Sequence, residues 1–135
     1  MSQPGTAGGP RILIVDDAPE SRGILAIALG TIRAAAVQVA ESAEGALALL
    51  DERPVDVVIT DVAMAGMSGL ELLAVMRERG LWPACGALVI SGEANPELPR
   101  QARECGAAGF FSKPFSAGEI RRSVLSLLES PHDTQ

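Results

Sequence analysis

The feature that most constrains this chain is a regular alternation of short apolar runs with segments of helical periodicity. The runs are short and mostly apolar at consecutive positions, a pattern typical of strands buried on both faces of a parallel sheet. We predict strands at residues 11–15, 36–40, 55–60, 87–91 and 109–111. We predict helices at residues 19–29, 42–52, 68–79, 97–105 and 116–129. Each predicted strand is therefore followed by a predicted helix.

Residues that favour helix ends support these boundaries. Proline fits the first turn of a helix, serine caps an N-terminus, and serine followed three residues later by glutamate forms a capping box. Glycine is favoured just beyond the C-terminus. The residues concerned are Pro19, Ser42, the pairs Ser68 with Glu71 and Ser116 with Glu119, and Gly106.

Five strands alternating with five helices predict an α/β fold, with a parallel sheet covered by helices on both faces. Right-handed crossovers favour the flavodoxin-like (βα)5 arrangement, in which the strand order is 2-1-3-4-5. We predict a flexible N-terminal segment at residues 1–10, one domain at residues 11–130, and a disordered tail at residues 131–135. Ligands of such folds bind beyond the carboxyl ends of the strands.

Composition excludes several classes of protein. The chain has 135 residues and a net charge of −6, which argues against a domain that grips nucleic acid by itself. Its longest purely apolar run has six residues, too few to span a membrane. We expect no secretion signal, because the first residues include no basic start and no apolar stretch. Cys85 and Cys105 are too few for a disulfide scaffold or a zinc site. The sole histidine is His132, which we expect to be disordered, so a histidine-dependent hydrolase is disfavoured. We expect a cytoplasmic protein.

Polar residues follow the predicted strands where their carboxyl ends should meet. Asp16 and Asp17 follow the first strand, Asp61 the third and Lys113 the fifth, while Ser91 ends the fourth. Clustered carboxylates repel one another unless a hard cation such as Mg²⁺ binds them. A nearby lysine neutralises further charge, and a hydroxyl can bond a phosphoryl oxygen. Glycine-rich nucleotide loops are absent, so these parts together describe a carboxylate that accepts a phosphoryl group.

Four segments resemble the receiver domain of two-component response regulators. They are ILIVDD at 12–17, VITDVAMAGMSG at 58–69, VISG at 89–92 and FFSKPF at 110–115. They occur in the family's order and at its usual spacing, and the resemblance covers nearly the whole chain. Any one segment alone is a weak signal, whereas the four together are highly specific.

The resemblance implies a role for each site residue. Asp61 would be the phosphoacceptor, and Asp16 and Asp17 would bind Mg²⁺, or Mn²⁺ in its place, with Asp61 and the backbone carbonyl of Ala63 as further ligands. Lys113 would bind the phosphoryl group, with a cis bond to Pro114. Ser91 would be the switch hydroxyl and Phe110 the aromatic switch that moves with it.

The resemblance also implies partners rather than a metabolic activity. The phosphoryl donor would be a sensor histidine kinase or a histidine phosphotransfer protein. The output would be a downstream protein target or a detached output domain, not nucleic acid or a membrane. A homodimer that depends on phosphorylation would form through the fourth helix, fifth strand and fifth helix. We favour a stand-alone receiver that resembles the chemotaxis regulators over a fragment of a longer regulator or of a hybrid kinase.

Two departures from the family pattern and two alternatives remain. Phe110 stands where a tyrosine would offer a hydroxyl contact to a partner. Ala65 stands where the family usually has proline, so a looser loop is expected after the third strand. Ala63 and Glu93 occupy positions that tune phosphoryl lifetime in the family. The small Ala63 leaves room for an attacking water, and Glu93 either orders or blocks one. A pseudo-receiver that is never phosphorylated is the main alternative. A haloacid-dehalogenase-type phosphatase is disfavoured, because it would need a second aspartate where this chain has Ala63.

Overall fold

The structure is a computed structural model that describes residues 9–129. Five strands and five helices alternate along this part of the chain. The strands are β1 (Arg11–Val15), β2 (Ala36–Ala40), β3 (Val57–Asp61), β4 (Gly86–Ser91) and β5 (Gly109–Ser112). The helices are α1 (Pro19–Gly30), α2 (Ala43–Glu52), α3 (Gly69–Glu78), α4 (Leu98–Glu104) and α5 (Ala117–Glu129). The predicted C-terminal tail with His132, and most of the predicted N-terminal segment, lie outside the described residues.

All five strands belong to one parallel sheet of order β2-β1-β3-β4-β5. The predicted flavodoxin-like α/β fold is therefore confirmed. The chain passes from β1 to the edge strand β2, returns past β1 to β3, and then continues outward. Because β1 and β3 are neighbours, the residues that follow them come together at one edge of the sheet.

Each face of the sheet buries its own apolar layer. Alternate side chains of β1 point to opposite faces, so that Leu13 and Val15 pack with α2, α3 and α4, whereas Ile12 and Ile14 pack with α1 and α5. These four β1 side chains are all fully buried. Burial on both faces explains why the strands are apolar at consecutive positions, and it fixes the strand ends that carry the site.

The predicted serine caps form at the helix N-termini. Ser42 Oγ accepts a hydrogen bond from Gly45 N–H at 3.0 Å. Ser68 and Glu71 make both bonds of a capping box, and Ser116 Oγ accepts from Glu119 N–H at 3.1 Å. These three helices therefore begin one residue after their serine, because an N-cap residue has no helical backbone conformation.

Strand β3 begins two residues later than predicted and ends one residue later. The carboxylate of Asp56 accepts a hydrogen bond from Arg11 N–H at 2.8 Å, so a side chain takes a donor at the start of β1. At the other end, the ladder extends to Asp61, which pairs with Ile90. Asp61 is consequently the last residue of the strand rather than the first residue after it.

The helices of the described part of the chain are short. The longest, α5, has 13 residues, and none within residues 9–129 is long and apolar enough to cross a membrane.

Candidate functional site

Three carboxylates meet at the carboxyl edge of the sheet. Asp16 follows β1 and is fully buried, Asp61 ends β3 with 4% of its surface exposed, and Asp17 is exposed. One oxygen from each lies within 4.8 Å of the other two. The sequence predicted this cluster from the order of the strands, and the structure brings the three side chains together.

Lys113 supplies the cation of the site. Its Nζ lies 3.0 Å from Asp61 Oδ2 and 3.4 Å from Asp16 Oδ2. The lysine follows β5, and its backbone N–H donates to the Ser91 carbonyl at 2.7 Å, which attaches it to the end of β4. The peptide bond between Lys113 and Pro114 is cis, as the resemblance implied.

Burial and two neighbouring charged residues all shift the pKa of Asp61. Burial raises the pKa of its carboxyl group above the usual 3.8, and the Asp16 charge raises it further, whereas the hydrogen bond from Lys113 lowers it. Burial alone would lower the pKa of Lys113, but its contacts with Asp61 and Asp16 outweigh burial, so that this pKa is raised. The lysine thus stays protonated, but one cation does not compensate fully for two buried carboxylates.

Two oxygen atoms of this cluster have unmet bonding capacity. Among the described residues, the buried atoms Asp16 Oδ2 and Asp61 Oδ1 accept no hydrogen bond, although Lys113 Nζ faces Asp16 Oδ2 as an ion pair. Buried polar atoms normally have a partner. Carboxylate oxygens are the ligands that Mg²⁺ prefers, and the single charge of Lys113 is smaller than that of the three neighbouring carboxylates. The donor set therefore fits a hard divalent cation.

The acidic turn after β1 is held by contacts that the sequence analysis missed. Asp16 Oδ1 accepts from Ala18 N–H at 2.9 Å, and Asp16 N–H donates to the Ala40 carbonyl at 3.1 Å. Arg22 of α1 turns back and donates from Nη1 to the Asp16 carbonyl at 3.0 Å. An arginine at this spacing carries no recognisable sequence signal, because an exposed helical arginine looks the same.

The loop after β3 contacts the acidic turn through the unusual Ala65. The backbone N–H of Ala65 donates to Asp17 Oδ2 at 3.4 Å. Proline has no N–H and could not make this bond, so the departure from the family pattern adds a contact. Ala63 lies exposed on the same loop, and the role of its carbonyl as a metal ligand stays a prediction.

Ser91 and Phe110 occupy neighbouring strands beside the site. Ser91 is 1% exposed, and its Oγ accepts a hydrogen bond from Glu93 N–H at 3.0 Å. Phe110 is half-buried, pairs with Val89 in the sheet, and packs against the apolar layer under α2, α3 and α4. Their roles as switch residues stay predictions. The structure shows a Ser91 hydroxyl held by the loop that leads to α4.

Fold and site together define a class: a flavodoxin-like α/β domain with a lysine and a cluster of three carboxylates at the carboxyl edge of its sheet. The family model described as the response regulator receiver domain matches residues 12–125. The chain belongs to this family, whose general function is to accept a phosphoryl group in two-component signalling.

Individual relatives agree with this assignment. The chain is 34% identical over 109 residues to the transcriptional regulatory protein KdpE of Mycobacterium tuberculosis, covering 81% of this chain and 46% of KdpE. It is 30% identical over 127 residues to the two-component response regulator ORR1 of rice, Oryza sativa, covering 87% of this chain and 55% of ORR1. The chain thus spans about half the length of these two curated relatives.

Solved structures show the same fold. The chemotaxis response regulator CheY4 of Vibrio cholerae superposes with a TM-score of 0.77 at 26% identity, covering 87% of this chain and 98% of CheY4. The signal receiver domain of an HD domain-containing protein from Pseudomonas fluorescens gives a TM-score of 0.82 at 26% identity, covering 98% and 96% of the two chains.

Proposed function

We propose that Asp61 accepts a phosphoryl group from a phosphohistidine, in a reaction that depends on Mg²⁺, and that the chain then switches conformation to control a protein partner. One observation carries the proposal: Asp61 is buried beside Lys113, with its Oδ2 bound to the lysine and its Oδ1 without a hydrogen-bond donor among the described residues. The lone pairs of that oxygen are therefore not used in a hydrogen bond within the described residues.

The transfer step is a substitution at phosphorus. A carboxylate oxygen of Asp61 forms the new O–P bond, the P–N bond of the donor phosphohistidine breaks, and its electron pair stays on the imidazole nitrogen. The product is an acyl phosphate, a known type of covalent intermediate. Bound Mg²⁺ would supply positive charge to the transferring oxygens. Asp16 and Asp17 would hold that ion together with Asp61 and the Ala63 carbonyl.

In this proposal, Lys113 and Ser91 bind the phosphoryl group once it is attached to Asp61. The ammonium group of Lys113 neutralises charge on the phosphoryl oxygens, which is the main contribution that a protein makes to such transfers. The Ser91 hydroxyl turns from Glu93 N–H toward the phosphoryl group, and Phe110 moves inward with it. A local change in charge thereby alters the surface formed by α4, β5 and α5.

The partners follow from this switch. The donor is a sensor histidine kinase or a histidine phosphotransfer protein, which we expect in the cytoplasm together with this chain. The surface formed by α4, β5 and α5 binds the downstream protein, an output domain, or a second copy of the chain. A name among the relatives supports the kinase link, since the sensor histidine kinase TmoS of Ectopseudomonas mendocina contains a segment 34% identical to this chain.

Intact mass after incubation with acetyl phosphate tests the acceptor. We expect a Mg²⁺-dependent gain of one phosphoryl group in the wild type, and loss of that group on treatment with hydroxylamine, which cleaves acyl phosphates. Asp61→Asn should gain nothing. Asp51→Asn is the matched control, since Asp51 is an exposed acidic residue near Arg79, and it should behave as the wild type does.

Two outcomes would count against the proposal. Stoichiometric phosphorylation of Asp61→Asn would refute the assignment of the acceptor. A wild type that gains no group from acetyl phosphate or from phosphorylated histidine proteins, and that binds no Mg²⁺, would favour the pseudo-receiver alternative.

A further inference from the structure

We propose that Arg22 is a positioning residue for Mg²⁺ binding, acting through the backbone of Asp16. The inference rests on the proposed function in one respect, which is that Asp16 and Asp17 bind the ion. Arg22 lies in the first half of α1, and its guanidinium group points back toward the turn that α1 follows. Its side chain is 19% exposed, so most of it is withdrawn from solvent.

The key contact is made to the peptide that links the two acidic residues. Arg22 Nη1 donates to the Asp16 carbonyl at 3.0 Å. That carbonyl lies in one rigid plane with the Cα atoms of Asp16 and Asp17. A charged donor fixed on the oxygen therefore restrains the direction in which both carboxylates leave the backbone.

Asp17 depends on this restraint more than Asp16 does. Asp16 is also held by Ala18 and Ala40, through its side chain and its N–H. Among the described residues, the exposed Asp17 side chain accepts only the long 3.4 Å bond from Ala65. Polar groups behind a metal ligand commonly set its orientation, and their loss weakens metal binding.

Glu41 forms an ion pair with the guanidinium group of Arg22. Its Oε2 lies 3.8 Å from Arg22 Nη2, and its side chain is 75% exposed. Such an exposed ion pair contributes little by itself. The contact between Arg22 and the Asp16 carbonyl is therefore the one expected to matter, and Glu41 offers a matched control.

The direction in which Mg²⁺ affinity changes when Arg22 is removed distinguishes a positioning role from a purely electrostatic one. Arg22 places a positive charge near the acidic cluster, and a positive charge by itself opposes the binding of a cation. If Arg22 acted only as a charge, its removal would tighten Mg²⁺ binding. If it positions Asp16 and Asp17, its removal weakens binding.

Titration calorimetry with Mg²⁺ on the full chain tests the inference. Arg22→Met keeps the apolar stem and removes every donor, and we expect it to weaken Mg²⁺ affinity about tenfold. Arg22→Lys should recover part of the loss, because one donor remains. Glu41→Gln should bind as the wild type does. Circular dichroism checks that each variant is folded.

Amide exchange in Mg²⁺-free protein gives a second readout. The backbone amides of Asp17 and Ala18 should exchange faster in Arg22→Met than in the wild type. If the Met variant does not fold, the same amides in Arg22→Lys decide: faster exchange supports the inference and unchanged exchange overturns it. Unchanged or tighter Mg²⁺ binding by folded Arg22→Met also overturns it. A wild type that binds no Mg²⁺ overturns both this inference and the metal site of the proposed function. If the wild type binds Mg²⁺ and Arg22→Met binds it equally well, only the inference about Arg22 is overturned.

Discussion

Gly69 packs so closely against Asp61 that a Cβ atom added to Gly69 would lie 2.0 Å from the Asp61 carbonyl oxygen and 3.0 Å from Thr60 Oγ1. The contact joins the first residue of α3 to the strand end that carries the central carboxylate. We expect Gly69→Ala to lower the free energy of unfolding by about 1–3 kcal/mol, because backbone must move to admit the methyl group. Urea unfolding monitored by circular dichroism measures the change.

Gly23→Ala is the control for this prediction. Gly23 lies within α1, and an added Cβ atom would meet nothing within 4 Å apart from its chain neighbours and the backbone of its own helix. Alanine has the higher helix propensity, so Gly23→Ala should raise the free energy of unfolding by about 0.5–1 kcal/mol. Equal effects of the two substitutions would contradict a steric role for Gly69.

Asp61→Asn should stabilise the Mg²⁺-free protein at neutral pH. Burial and Asp16 raise the pKa of Asp61 above its unfolded value of 3.8, despite the opposing bond from Lys113. Between these two pKa values the folded state binds more protons than the unfolded state, so stability falls as pH rises through that window. The stability lost in that window is not regained at neutral pH. Asparagine does not ionise, so the Asn variant does not lose this stability.

Urea midpoints measured against pH in the presence of EDTA check this sign. The stability advantage of Asp61→Asn should be largest at neutral pH and should vanish as the pH falls toward and below 3.8, where aspartate is protonated in both states. A wild type as stable as the Asn variant at neutral pH would contradict the prediction.

Lys113→Met should raise the pKa of Asp61 further. The substitution removes the cation that lies 3.0 Å from Asp61 and 3.4 Å from Asp16, and leaves their charges uncompensated. We expect a loss of about 2 kcal/mol in stability, in line with losing one charged hydrogen bond and one close ion pair. Carbon NMR of the Asp61 carboxyl group during a pH titration measures the shift.

Arg100→Met is the matched control for the lysine. Arg100 of α4 forms exposed ion pairs with Glu104 and with the preceding Glu97. Its loss should change stability little, because exposed ion pairs contribute little. If both substitutions changed stability equally and left the pKa of Asp61 unmoved, the electrostatic account of the site would be wrong.

Ser91→Ala should loosen the turn between β4 and α4. It removes the acceptor of Glu93 N–H and should cost about 1 kcal/mol. Amide exchange at Glu93 should accelerate, while Mg²⁺ affinity stays as in the wild type. Ser112→Ala should leave amide exchange at Glu93 unchanged. Ser112 is the exposed residue paired with Ser91 in the sheet. Slow exchange at Glu93 in Ser91→Ala would refute the contact.

Most of the fold could be predicted because its signals are local. Consecutive apolar residues indicated strands buried on both faces, and the serine caps placed the starts of α2, α3 and α5. The start of β3 was wrong by two residues. The carboxylate of Asp56 binds the N–H of Arg11, 45 residues away in the sequence, and no local pattern contains such a contact.

The meeting of Asp16, Asp61 and Lys113 was also predictable, since neighbouring parallel strands end at the same edge. The contributions of Arg22 and Ala65 were not. In the sequence, Arg22 cannot be distinguished from a solvated helical arginine. Ala65 acts through its backbone N–H, which every residue except proline carries. Their bonds to Asp16 and Asp17 depend on how a helix and a loop are placed over the sheet.

The amino-acid sequence by itself determined the order of the elements, the family, and which side chains meet at the sheet edge. The alternation of elements is a chain-local pattern, and right-handed crossovers then favour one strand order. The tertiary structure alone decided which Asp61 oxygen contacts Lys113, that Ser91 is held by Glu93, and that Arg22 supports the acidic turn. These features depend on distances of a few ångströms between segments far apart in the chain. Such distances are set when the helices pack on the sheet.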